Sequence, residues 1–301
     1  MTKKSVALYL TIIGLLLAGA VGWYTYSLLS QPKTDSAFDG QRAYADVQTQ
    51  VAFGSRVPGT EGHAKIVEWI RGELVKAGWQ VEVQESEALG HPIQNIVAKR
   101  NEASPQIILG AHYDTRMFAD RDPDPSQQVN YVPSANDGAS GVAVLLELAR
   151  SLPDSTVPVW LVFFDAEDNY GFASWDGELG SREFVNNNII EPRAVVIVDM
   201  IGDADLNIYK ERNSNPELTN EIWETAKSIG YESKFISEYK YSMTDDHTPF
   251  LQADIPAVDI IDFDYPYWHT VEDTPDKVSA ESLEAVGKTL WTWITQQSGQ
   301  N

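Results

Sequence analysis

The amino-acid sequence predicts a three-layer α/β/α domain around a mostly parallel, mixed central sheet, preceded by one N-terminal transmembrane helix. Three observations predict it. Short apolar runs rich in Val, Ile and Phe alternate with longer stretches of helical period, the pattern of a sheet covered on both faces. Polar and acidic residues gather where those runs end, and parallel sheets carry their working groups beyond the carboxyl ends of their strands. A charge-free run from Ser5 to Pro32, preceded by Lys3 and Lys4, is long enough to cross a bilayer.

The N-terminal run contains ALYLTIIGLLLAGAVGW and ends among Trp23, Tyr24 and Tyr26, aromatics suited to a membrane interface. The two lysines keep the N-terminus inside and place the rest outside, so the folded domain is expected to be extracytoplasmic. Ala18-Gly19-Ala20 also resembles a signal-cleavage site, but the apolar residues continuing past it favour an uncleaved anchor. Residues 1–29 are thus expected to be an anchor or signal, 30–40 (SQPKTDSAFDG) a polar linker, and 41–301 the domain.

Within the domain, Ile66, Val67, Ile70, Leu74 and Val75 recur at helical spacing and predict a helix over Glu61–Ala77. WQVEVQES and NIVAKR read as strands and QIILGAHY as a buried one. Gly138–Leu152 is a helix, followed by the strand VPVWLVFFDAE. AVVIVDMIG predicts a further buried strand, NPELTNEIWETAKSIG a helix, IPAVDIIDF the last strand and SAESLEAVGKTLWTWITQQ a closing helix.

Acidic residues outnumber basic ones 44 to 22, a formal net charge of -22. Nucleic acid is therefore not an expected partner, because phosphate binding needs clustered Lys and Arg. The chain has no cysteine, which excludes disulfides, thiolate metal sites and a Cys nucleophile.

The chemistry lies at the strand ends. His112 in AHYDT and His269 in WHTVEDT stand in polar contexts. Asp137 sits in the small-residue turn SANDGASG, where a carboxylate meets an ion without side-chain crowding. Glu167-Asp168 follows VWLVFF, and adjacent residues at a strand end diverge, so one is free to bind metal while the other addresses substrate. Asp199 closes VVIVD, where an unpaired carboxylate is costly. Imidazoles and carboxylates without thiolate suit a catalytic zinc with an open position. Asp114, two residues past His112, is expected to orient a ligating imidazole or its neighbours. His63 and His91 read as exposed, His247 as a residue that caps or orients the next helix, and Asp262 and Asp264 as turn formers.

These segments, with FGSRVPGTEG near the start, resemble the M28 zinc aminopeptidase superfamily over about Gln41 to Gln297. FFDAED with Trp175 and GSREF, TDDHTPFL, and the Trp before the ligand His in YWHTVEDT are more similar to the glutaminyl-peptide cyclotransferase branch. That resemblance implies one zinc on Asp137, Asp168 and His269, with Glu167 moving the proton. It implies a carboxylate network through Asp199 and Asp245, and Trp175 and Trp268 lining the pocket. The aminopeptidase branch implies instead two zincs bridged by Asp137, with His112 and Asp199 completing the second. The family usually has Glu-Glu where this chain has Glu167-Asp168, so a shorter side chain must reach the metal. The implied reaction is cyclisation of an N-terminal glutaminyl residue of peptide or protein substrates to pyroglutamate, with ammonia released. The alternatives are hydrolysis of N-terminal residues and a non-catalytic exported binding module.

Overall fold

The computed structural model describes residues 38–154, 156–172 and 174–297. The expected membrane segment lies outside the described residues. Among the described residues, no helix is long and apolar enough to cross a membrane.

Two helices lead in, α1 (Gly40–Ala52) and α2 (Glu61–Lys76). The hairpin β1 (Gln80–Ala88) and β2 (His91–Lys99) follows, then β3 (Ile107–His112), α3 (Ala139–Ser151) and β4 (Val159–Phe164). The rest runs α4 (Leu179–Asn187), β5 (Ala194–Asp199), β6 (Ile208–Lys210), α5 (Pro216–Ser228), β7 (Phe235–Tyr239), α6 (Thr248–Gln252), β8 (Ala257–Ile261) and α7 (Ala280–Gln297).

The main sheet has the order β1-β2-β4-β3-β5-β8. β4, β3, β5 and β8 are parallel, whereas β2 meets β4 antiparallel and β1 meets β2 antiparallel. The mixed, mostly parallel sheet expected from sequence is therefore present. β3 and β8 are buried at every residue, as strands covered on both faces must be, while β1 is never fully buried. Apolar side chains of α1, α2, α3, α5 and α7 pack on one face. On the other, Phe184 of α4 and Phe250 of α6 close over Val97, Ile108, Phe164 and Ile197.

The domain begins before the expected boundary. Phe38 is buried, and its ring lies where a Cβ on Gly287 of α7 would sit, at 2.0 Å from Cζ. Asp39 caps α1 by accepting from the backbone N–H groups of Gln41 and Arg42. Residues 38–40 thus belong to the fold rather than to a linker. In-register pairing then sets the strand ends side by side: His112 opposes Phe164, and Asp199 opposes Ile261. Everything chemical follows from that edge.

Candidate active site

Four of the functional groups sit where a strand gives way to an abrupt turn. β3 delivers His112, the turn after β4 carries Glu167 and Asp168, and β5 ends on Asp199. Ala166, Met200 and His269 have φ of 56, 45 and 56°, left-handed backbone that non-glycine residues rarely adopt. Such residues cost roughly 1–3 kcal/mol each and persist where surrounding contacts fix them. Here they redirect the chain beside Glu167, beside Asp199 and at the second histidine itself.

Asp137 is the hinge of the site. Its backbone N–H donates to Asp273 Oδ2 at 3.1 Å and that of Asn136 to Asp273 Oδ1 at 2.8 Å, while the Tyr265 hydroxyl donates to Oδ1 at 2.7 Å. WHTVEDT and SANDG are therefore physically joined. Gly138, with φ of 89°, is required because a Cβ there would meet His112 Cε1 at 2.9 Å.

Two groups of potential ligands share Asp137: Asp137, Asp168 and His269, and His112, Asp137 and Asp199, each with ligand atoms within 4.8 Å of one another. His269 Nε2 lies 2.9 Å from Asp168 Oδ1 and 3.5 Å from Asp137 Oδ2. His112 Nε2 lies 3.1 Å from Asp137 Oδ1 and 3.2 Å from Asp199 Oδ1. Asp168 thus reaches the cluster despite its missing methylene. The residues fit a cation: Asp137 Oδ2 and Asp168 Oδ2 are buried with no hydrogen-bond partner among the described residues, which is expensive for a carboxylate unless a positive charge faces it.

The imidazoles are oriented from behind. His112 Nδ1 faces Asp114 Oδ1 at 3.4 Å. Asp114 also accepts from the backbone N–H groups of Glu167 and Asp168, at 3.1 and 3.3 Å. His269 Nδ1 faces Asp120 Oδ1 at 3.4 Å. Arg116 fixes Asp120 through Nε and Nη2, each at 3.0 Å, and donates from Nη1 to the Asp168 carbonyl at 2.6 Å. Each ring thereby turns its Nε2 toward the shared carboxylate.

Burial dominates the proton affinities. It raises Asp168 to about 6, helped by Asp137, and Asp199 to about 7, helped by Asp137 and Asp245 against the pull of His112. Glu167 is driven well above the usual carboxylate range by burial and then, against His112, by Asp168, Asp245 and Asp246. Burial opposes charge on His269, yet Asp168, Asp120 and Asp137 raise it to about 9.

These groups open onto a cavity of about 560 Å³. Glu167, Asp137, Asp168, Asp199, Asp245, Trp268 and His269 all line it. Trp268 stacks on His269 with centroids 3.9 Å apart, and Arg121 lies over the Trp268 ring. Trp175 is placed elsewhere: it stacks on His91 at 3.6 Å and packs with Ile93 and Leu179, outside the cavity lining. A strand-end hairpin takes up the ring that sequence assigned to the pocket.

Three further expectations need correction. His63 is buried rather than exposed, with Nε2 2.9 Å from Asp165 Oδ1. His91 is half-buried beneath Trp175. His247 makes no side-chain cap to α6 and is fully buried. Asp262 does form the expected turn, accepting from Asp264 N at 3.1 Å. Sequence reasoning missed Arg116, Asp120 and Asp273, whose roles depend on contacts between distant segments; the acidic ending of HTVEDT was the available signal for Asp273.

Comparison with known proteins is consistent with this site. Residues 95–294 match the model for peptidase family M28. The glutaminyl-peptide cyclotransferase of Boiga irregularis is 25% identical over 290 residues, covering 80% of this chain and 77% of its own. The crystal structure of Porphyromonas gingivalis glutaminyl cyclase is 34% identical with a TM-score of 0.81, covering 87% of this chain and 99% of that one. A Zn-dependent exopeptidase from Parabacteroides distasonis is 32% identical with a TM-score of 0.81, over 86% of this chain and 98% of that one.

Proposed function

This chain belongs to peptidase family M28 and is an enzyme of that family, and we propose that it cyclises N-terminal glutaminyl residues of peptides to pyroglutamate, releasing ammonia. One observation carries the reading: Glu167, Asp199 and Asp245 converge on a single cavity beside Asp137, Asp168 and His269. Zinc is the metal that suits this donor set, and when bound by Asp137, Asp168 and His269 it supplies Lewis-acid polarisation of the side-chain amide carbonyl.

The chain's own residues do the rest. Trp268 and the cavity wall hold the glutaminyl side chain and exclude water. Glu167 accepts a proton from the attacking α-amine and delivers one to the departing ammonia, which needs a carboxyl poised near working pH. Its raised proton affinity supplies that poise, with burial the main cause and Asp168, Asp245 and Asp246 adding to it by like charge.

The second reading, a two-zinc aminopeptidase, is favoured by the His112–Asp137–Asp199 group sharing Asp137. Incubating the chain with Gln-peptides and with aminoacyl-anilides, while counting bound metal, decides between them. The cyclase releases ammonia and leaves every peptide bond intact, and His112→Ala then keeps about one zinc and loses little more than tenfold in rate. Two zincs per chain, with free amino acids released, would establish the aminopeptidase. We also propose membrane tethering through the Ser5–Pro32 run. Sedimentation of the full chain with membranes supports it; a mature protein beginning near Val21 argues for a cleaved signal.

A further inference from the structure

The cavity is strongly acidic: among the described residues, seven acidic side chains and three arginines line it. Two of the arginines are committed within the chain. Arg116 holds Asp120, and Arg182 pairs with Glu178. Arg121 is different. Its guanidinium lies over the Trp268 ring, 5.3 Å from the centroid, and meets no carboxylate and no hydrogen-bond acceptor among the described residues. In a chain whose acids outnumber its bases 44 to 22, a guanidinium left unpaired at the reaction cavity is placed for an anion that arrives with the substrate.

The backbone beneath this side chain is fixed to the site. Three consecutive residues clamp the segment that carries His269. Asp120 Oδ1 faces His269 Nδ1 at 3.4 Å, Arg121 N donates to the His269 carbonyl at 3.2 Å, and Asp122 Oδ2 accepts from Val271 N at 3.1 Å. Arg121 itself is exposed, so its guanidinium is held by this backbone from below and by the Trp268 ring at its tip. The Trp268 and His269 rings are 3.9 Å apart, which keeps the guanidinium carbon within about 9 Å of the His269 ring. An extended peptide advances roughly 3.3–3.6 Å per residue. That distance therefore separates a glutaminyl side chain at the metal site from the residue that follows it.

We propose that Arg121 is a specificity-determining residue that receives the carboxylate carried by the residue after the substrate's N-terminal glutaminyl. The register on the substrate rests on the cyclase reading. The acidic cavity attracts the cationic α-amine, and Arg121 attracts an anion beyond it, so a peptide with an amine in front and an acid behind enters in one orientation. The planar guanidinium fork matches a carboxylate with two parallel N–H···O bonds, and the Trp268 face presents that fork already oriented. An exposed pair of this kind adds modest binding energy and touches no reacting atom. Its effect therefore belongs in KM rather than kcat.

The test compares Gln-Glu-Ala-amide with Gln-Gln-Ala-amide, which differ in charge and hardly in shape, on the full chain loaded with zinc. At low ionic strength wild type should favour the Glu peptide by about fivefold in kcat/KM, through KM, and about 0.5 M NaCl should bring the ratio toward one. In Arg121→Gln the ratio should fall to about one, and Arg121→Glu should favour Gln-Lys-Ala-amide instead. Gln-Ala against its amide applies the same comparison to a terminal carboxylate. A preference in either pair that Arg121→Gln abolishes supports the assignment and tells which carboxylate is received. Ratios near one in both pairs for wild type, or a preference that survives in Arg121→Gln, would overturn it. So would a preference carried by kcat with KM equal. If wild type releases free amino acids from these peptides and no ammonia, the cyclase reading fails on its own. The same ratios, scored on the released N-terminal residue, then still decide the role of Arg121.

Discussion

In the proposed cyclisation, Glu167 must bind a proton tightly enough to take it from an amine and loosely enough to return it to ammonia. In that reading its surroundings provide this without making it a metal ligand, since Asp137, Asp168 and His269 would hold the zinc without it. Glu167→Gln should therefore lower kcat by about 10²–10⁴-fold while metal content, measured by atomic emission, stays at the wild-type level. His269→Ala should lose metal and turnover together. Retained turnover in the first variant would mean that another group moves the proton. Glu167 and Asp168 were legible because they follow an apolar run, where acidic side chains need a reason to be, and Asp137 and His269 because their short polar motifs stand out. Arg116 and Asp120 were not legible. Their value lies in reaching Asp168 and His269 from a loop far away in sequence, and local pattern carries no trace of that.

The turn from Ser134 to Gly138 is where one local element decides the geometry of the whole site. Gly138→Ala adds a methyl group 2.9 Å from His112 Cε1 in a backbone of φ 89°, so strain and collision act together. We expect a loss of at least about 1 kcal/mol in stability. Zinc affinity should fall as well, because Asp137 and His112 are displaced; calorimetry and metal titration measure the two effects. A wild-type zinc affinity would show that the turn adjusts without moving its carboxylate. At this scale the long strands and helices followed from their periodicity. The helices α1 and α4, the small β6–β7 pair and α6 did not. α6 spans five residues and β6 three, too few for a period to register. α4 begins from a left-handed Glu178 with no side-chain cap, so no start signal announces it.

Across the molecule, several buried carboxyls bind protons more tightly than the unfolded chain does. Burial first, then neighbouring charge, raises Asp199, Asp262 and Asp273 to about 7 and Asp168 to about 6, from 3.8. The sign follows: where the folded state holds more protons, stability falls as pH rises, here between about pH 4 and 7. Chelator-treated protein should accordingly melt at a lower temperature at pH 8 than at pH 5, and the surplus negative charge of the chain acts in the same direction. Zinc should raise the melting temperature most at pH 8, where its ligands are already deprotonated. Equal gains at pH 5 and pH 8 in differential scanning calorimetry would contradict this account.

The Phe38 ring seated over Gly287 also matters to how the molecule carries load. It joins the start of the domain to the last helix, and Asp39 adds a second hold by donating its backbone N–H to Glu147 Oε1 at 3.1 Å. A chain beginning at Ser36 keeps this clasp, whereas one beginning at Gln41 loses both the ring and the cap. The shorter chain should be less stable by about 3–5 kcal/mol in urea denaturation, the usual cost of emptying an aromatic site. Matching midpoints would show that the ring is dispensable. Tension applied at the N-terminal end should therefore meet an aromatic wedge braced against α7 before it can peel α1 from α3 and α7, far along the chain from the candidate site.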